Sequence, residues 1–144
     1  DVTAFVLGGH GDTMVPLPRY TTVGGIPITQ LMSEDRIEAI SARTAGGGGE
    51  IVKLLERGSA FYAPGSAAAI MAEAVLNDRR RVIPASCYLT GQYGLDDVYI
   101  GVPCILGANG IEKIFELELT DSELESLHGS ANFYKGQIKD ILGY

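Results

Sequence analysis

Tryptophan is missing from this chain of 144 residues, cysteine and histidine occur only twice each, and positive charge is scarce. Each shortage removes a class of function. Two isolated cysteines and two histidines cannot supply the ligand cluster of a zinc site, so no metal is expected. Cys87 and Cys104 lie in apolar extended stretches and not in a Cys-x-x-Cys, which reads as two reduced core thiols in an intracellular protein. The 11 Lys and Arg against 18 Asp and Glu leave a formal charge of −7. Nucleic acid is therefore not an expected partner, since backbone binding needs a clustered positive field. The densest basic run, Arg79-Arg80-Arg81, reads as the end of a helix whose dipole and last carbonyls it complements. No apolar stretch runs uninterrupted for the ~18 residues of a membrane span. The start, Asp1-Val2-Thr3, lacks the basic opening of a signal peptide, and a cytoplasmic location is expected. It also lacks an initiator Met, so the chain is expected to begin inside a longer polypeptide.

What is present suits one α+β domain over residues 1–144, long enough to bury a real core. Val2 to Leu7 reads as a strand. Thr21 to Ile28 reads as a hairpin turning at Gly24-Gly25. Ser33 is a candidate helix N-cap with Glu34 and Asp35 in the first turn. That helix meets Gly46 to Gly49, at roughly 0.8–1 kcal/mol per glycine relative to alanine. The run is expected to be either a break between two helices or a place where backbone approaches something closely. A further helix is expected over Ser66 to Asp78. Val82 to Thr90, Val98 to Leu106 and Ile111 to Leu119 read as strands, with Pro103 implying a bulge or an edge. Thr120-Asp121-Ser122-Glu123 is a capping box. Leu124, Leu127, Ala131, Tyr134, Ile138 and Ile141 then form one apolar helix face.

The segment with chemical content is Leu7-Gly8-Gly9-His10-Gly11-Asp12-Thr13-Met14-Val15-Pro16. Glycine on both sides of a histidine frees the backbone and leaves room for a ligand beside the ring. Imidazole exchanges a proton near neutral pH, so His10 is a candidate acid/base. The residues alone leave a second reading open, a loop histidine near a turn, and Asp12 is read as a turn residue.

The run Gly8-Gly9-His10-Gly11-Asp12-Thr13-Met14-Val15-Pro16 resembles the active-site histidine motif of the lactate/malate dehydrogenase family, most nearly in its malate dehydrogenases. Three further segments are similar to the family in the same order. They are Thr44 to Ile51, Lys53 to Pro64, and Gly91-Gln92-Tyr93-Gly94 with Ile100-Gly101-Val102-Pro103. The resemblance implies an α+β C-terminal substrate domain, an antiparallel twisted sheet packed with helices. It implies the interconversion of malate and oxaloacetate with NAD, a reaction of the tricarboxylic acid cycle, with His10 as proton donor and acceptor. It further implies that Ala60 faces the substrate and that Pro64 lies near the nicotinamide. A homo-oligomer, dimer or tetramer, is implied as well. Membrane is not an expected partner.

Other family parts have no counterpart in these residues. The Asp-x-x-Arg pair that orients the histidine and grips the substrate carboxylate precedes the motif in the family. Asp78-x-x-Arg81 has the spacing but follows His10 in another context, and is not that pair. A dinucleotide fingerprint wants a strand, Gly-x-Gly-x-x-Gly and a helix. Gly46 to Gly49 fails it, because position 51 is Ile and no strand pattern precedes. The NAD-binding Rossmann domain is thus expected outside this chain, and the chain alone is expected to be inactive. Two rival readings remain: a piece of a lactate or other 2-hydroxy-acid dehydrogenase, and a non-catalytic assembly module of the same fold.

Overall fold

The β-branched and aromatic residues at the start of the chain form extended backbone in two pieces, not one. In the computed structural model, which describes residues 1–143, β1 (Val2–Thr3) and β2 (Val6–Gly8) belong to different sheets. The strand expected over 2–7 is split at Ala4-Phe5, where the Phe5 carbonyl accepts the Leu17 N–H at 3.0 Å. β1 pairs with β4 (Thr22–Val23), which turns back into β5 (Ile26–Pro27). Val23 sits opposite Ile26, with Gly24 at φ +57° and Gly25 at φ +85° between them. This is the expected hairpin, closed by two residues that both need positive φ.

The main sheet is antiparallel throughout. Its order is β3-β2-β7-β6, with β8 also on β7: β3 is Met14–Pro16, β6 Arg81–Thr90, β7 Asp96–Gly107 and β8 Gly110–Ile114. β7 is its central strand. Pro103 therefore does not mark an edge strand, and the register shifts fall at Leu89/Thr90 and Ile105/Leu106 instead of at the proline. Pro103 stands opposite Pro84, so neither missing N–H is needed between the two strands. On the other side of β7 it falls between the Gly8–Gly101 pair and the first β8 partner, Cys104. The third strand is shorter than expected and ends at Ile114.

Leu7, Leu17, Leu89, Ile100, Val102 and Leu127 are fully buried between this sheet and the C-terminal helix. Cys87 and Cys104 are buried there as free thiols, and burial pushes the Cys87 thiol up to about 12. The expected α+β class, an antiparallel sheet packed with helices, holds.

α1 (Glu34–Leu55) runs unbroken for 22 residues through all four glycines. The expected break is absent, and of the four glycines only Gly48 has another residue near it: a Cβ there would make ordinary contact with His10, 3.8 Å from Nε2. Arg43 and Glu50 bridge the glycine stretch on one face through two hydrogen bonds of 2.9 and 3.1 Å. α2 (Tyr62–Leu76) starts four residues earlier than expected. Its first turn accepts Pro64 because the opening N–H groups of a helix have no partner within it. The run Arg79-Arg80-Arg81 lies beyond the helix: Arg79 pairs with Glu73, Arg80 with Glu112, and Arg81 opens β6. α3 (Asp121–Leu142) carries the capping box as expected, with Glu123 N–H donating to Thr120 Oγ1 at 3.2 Å and Thr120 N–H to Glu123 Oε2 at 2.8 Å. It packs on the core only as far as Tyr134. Leu127, Ser130 and Ala131 are buried, while Ile138 and Ile141 are exposed. No helix among the described residues is long and apolar enough to cross a membrane.

Candidate functional site

β2 and β3 pair from Val6–Pro16 to Gly8–Met14, and the loop between them carries His10. Glycine is demanded on the approach. Gly8 has φ +81° and no space for a Cβ, which would fall 2.7 Å from the Thr13 carbonyl. A Cβ on Gly9 would overlap Thr13 Oγ1 and the Tyr134 ring. The central strand accommodates the loop in the same way: Gly101, opposite Gly8, would place a Cβ 2.6 Å from the Gly8 carbonyl oxygen. After His10 the chain makes a 3-10 turn, Gly11–Thr13, with Gly11 at φ +66°. Asp12 is exposed in that turn, in keeping with its reading as a turn residue.

His10 itself is exposed and lines a cavity of about 690 Å³. Gly9, Ala67, Ser86, Tyr99 and Tyr134 are among the other lining residues. That volume lies within the usual range of small-ligand pockets, roughly 300–1,000 Å³. No Arg or Lys lines it among the described residues, so nothing in this wall supplies positive charge for a carboxylate. One residue of the α1 glycine run also lies near the ring. A Cβ at Gly48 would sit 3.8 Å from His10 Nε2 and 3.9 Å from Cε1, whereas Gly46, Gly47 and Gly49 face nothing within 4 Å. Ala60 is half-buried in the link between α1 and α2, and Pro64 is exposed in the first turn of α2. Neither lines the cavity, which α2 reaches through Ala67.

The loop is held from behind by α3. Ser130 and Tyr134 stand one turn apart on the face that meets β2 and β3. Gly9 N–H donates to Ser130 Oγ at 2.9 Å and shares its proton with the Thr13 carbonyl at 3.1 Å. His10 N–H donates to Tyr134 Oη at 3.2 Å. Sequence reading places Tyr134 on an apolar helix face and passes over Ser130 and Thr13. The available signal is a small hydroxyl, Ser130, inside the buried stripe beside Ala131.

The Gly91-Gln92-Tyr93-Gly94 segment serves the fold and not the cavity. Tyr93 takes φ +55°, its N–H donates to Glu116 Oε2 at 2.6 Å, and its hydroxyl donates to the Phe115 carbonyl while accepting the Leu117 N–H. The second histidine, His128, bonds the Tyr93 carbonyl at 2.7 Å through Nε2 and takes no part in the cavity. No group of three or more potential ligands for a metal occurs among the described residues.

The family model described as the alpha/beta C-terminal domain of lactate/malate dehydrogenase matches residues 1–143. A malate dehydrogenase of Thermomicrobium roseum is 67% identical over 132 residues, covering 92% of this chain and 42% of that protein. One from Roseiflexus sp. (strain RS-1) is 54% identical over 138 residues, covering 96% and 45%. Among solved structures, the malate dehydrogenase of Salinibacter ruber superposes with a TM-score of 0.95 at 54% identity, over 99% of this chain and 46% of that one. The lactate dehydrogenase of Eimeria maxima, solved with NADH and oxamate, gives 0.94 at 46% identity over the same shares. The chain thus spans somewhat under half the length of these relatives. With matching sequence, matching fold and the histidine loop in place, the chain belongs to the lactate/malate dehydrogenase family, as its alpha/beta C-terminal domain.

Proposed function

We propose that this chain is the substrate-binding and proton-transfer part of an NAD-dependent malate dehydrogenase, with His10 as the acid/base that interconverts malate and oxaloacetate. One observation carries the reading: an exposed imidazole at a cavity wall, with its loop bonded to α3 and Gly48 of α1 near Nε2 and Cε1 of the ring. In the oxidising direction His10 accepts the hydroxyl proton of malate; in the reducing direction its protonated ring donates to the carbonyl oxygen of oxaloacetate. The charged ring also stabilises negative charge developing on that oxygen. NAD, when bound, supplies the two-electron acceptor at the substrate's hydroxyl carbon. The residues present fit the reacting end of such a group and not its pyrophosphate. The space beside His10 is open, but the four-glycine run Gly46 to Gly49 lies inside α1, where most N–H groups are spent on helix bonds.

A carboxylate clamp is likewise not built from the cavity wall of this chain, so the chain by itself is inactive and the remaining machinery comes from elsewhere in the polypeptide. In this reading Ala60 and Pro64 reach substrate and nicotinamide only with the rest of the protein in place. Self-association, as a dimer or tetramer, is supported by exposed apolar side chains on α1 and α2, among them Leu54, Leu55, Tyr62 and Leu76. A cytoplasmic setting fits two buried cysteines left as thiols. The likeness to the Eimeria enzyme solved with oxamate favours lactate as the second reading of substrate. In the full-length protein, His10→Gln should lower the rate of oxaloacetate reduction by at least about 10²-fold with assembly intact. A wild-type rate would remove the proposal, and a preference for pyruvate over oxaloacetate would transfer it to lactate.

A further inference from the structure

We infer that Tyr134 and Thr13 are positioning residues, which close a ring of three hydrogen bonds on both backbone polar groups of His10 and so fix where its imidazole stands. The inference rests on the proton-transfer role proposed for His10. Its observations are His10 N–H to Tyr134 Oη at 3.2 Å, Thr13 Oγ1 to the His10 carbonyl at 3.2 Å, and Thr13 Oγ1 to Tyr134 Oη at 3.3 Å.

Proton counting gives the ring one direction. A carbonyl oxygen only accepts, so Thr13 spends its single hydroxyl proton on the His10 carbonyl. Thr13 then has only lone pairs for Tyr134, and the phenol must donate to it. The phenol oxygen in turn accepts the His10 N–H. Each hydroxyl gives one bond and takes one, and each polarises the next. Both backbone torsions of His10, φ and ψ, are therefore restrained by the same closed set of bonds, one acting on its N–H and one on its C=O, which sets the direction in which the side chain leaves the loop. Neighbouring features tie the ring to the scaffold. Ser130, one turn before Tyr134, holds the preceding N–H at Gly9. The absence of a Cβ at Gly9 is what lets the Tyr134 ring come this close, since one would overlap it. Phe133 meets the Tyr134 ring edge-on at 5.5 Å.

A packing role for the tyrosine would need its ring and not its hydroxyl, and a packing role for Thr13 would need its methyl group. Substitutions separate these. In the full-length protein, Tyr134→Phe keeps the ring, Thr13→Val keeps the shape, and Thr13→Ser keeps the hydroxyl. Tyr134→Phe and Thr13→Val should each lower kcat about 10-fold, as a loosened acid/base loses alignment. KM for oxaloacetate should move by less than about twofold in Thr13→Val, because Thr13 does not line the cavity. The double variant should be no slower than either single one, because the ring is broken once in all three. Thr13→Ser should retain wild-type kcat. Unchanged kcat in both single variants, losses that multiply in the double variant, or failure of serine to rescue would each overturn the inference. His10→Gln, assayed beside them, separates the two levels. If it is inactive while the ring variants are normal, only the ring is wrong; if it is active, the role of His10 falls and the ring falls with it.

Discussion

Gly48 is the residue whose replacement probes most directly the meeting of α1 with the candidate acid/base. It lies inside a 22-residue helix, where glycine costs roughly 0.8–1 kcal/mol relative to alanine. A methyl group there would sit 3.8 Å from His10 Nε2 and 3.9 Å from Cε1, which is ordinary contact and not overlap. Gly48→Ala should therefore stabilise the protein by about 0.8 kcal/mol, with the ring in place and activity within a few-fold of wild type. A leucine differs in kind. Its branch carbons would reach into the 3.8 Å gap and cover the imidazole edge, and they would do so on a helix already strengthened by losing a glycine. Gly48→Leu should thus remain folded and lose at least about 10²-fold in kcat, the cost of displacing or blocking the acid/base. The assays are urea denaturation for stability and steady-state oxaloacetate reduction by the full-length protein. A fully active Gly48→Leu variant would refute the placement of α1 against His10. So would a destabilised Gly48→Ala, which would mean that another surface fills the space beside that residue.

The remaining predictions concern the loop, the helix cap and the thiols. Gly9→Ala has no comparable freedom, because its Cβ overlaps Thr13 Oγ1 and the Tyr134 ring. It should cost about 1–3 kcal/mol in urea denaturation and lower kcat further than that loss of stability accounts for; unchanged denaturation would contradict the close contact. At Glu123, burial pushes the carboxyl upward, but the Arg19 guanidinium at 2.6 Å and the Thr120 cap outweigh it and hold the carboxyl below the usual carboxylate range. A depressed folded-state pKa gives stability that is present above the unfolded value and lost as pH falls through the folded one. The stability gap between wild type and Glu123→Gln should therefore be full near neutral pH and shrink in acid, below the ordinary glutamate range; a gap independent of pH would refute the pairing. Thr120→Ala should cost about 1 kcal/mol through loss of the N-cap, read from the same denaturation curves. Cys87, with its thiol pushed up to about 12 by burial, should resist thiol reagents at neutral pH until the protein unfolds; rapid labelling of the folded protein would contradict its burial.

Local chemistry determined those features that a few neighbouring residues decide among themselves. Gly24-Gly25 permits a two-residue turn, and the hairpin forms around it. Thr120 and Glu123 satisfy each other's N–H groups, and α3 starts there. The histidine between glycines was legible as a candidate because its flanking residues carry the pattern, and the family resemblance is borne out over residues 1–143. What tertiary structure decided is everything that depends on a distant partner. Four glycines disfavour a helix locally, yet α1 runs through them and turns one of them toward His10. Val2 to Gly8 splits because its two ends find different sheets. Pro103 lies in a central strand because another proline stands opposite it. Ser130 and Tyr134 are more than 120 positions from the loop they hold, with separations of 121 and 124 residues, and on the helix alone they look like ordinary members of a packed face. Sequence periodicity reports which face of an element is buried; it carries no record of which loop that face will meet, because that is set when the sheet closes and brings the two ends of the chain together.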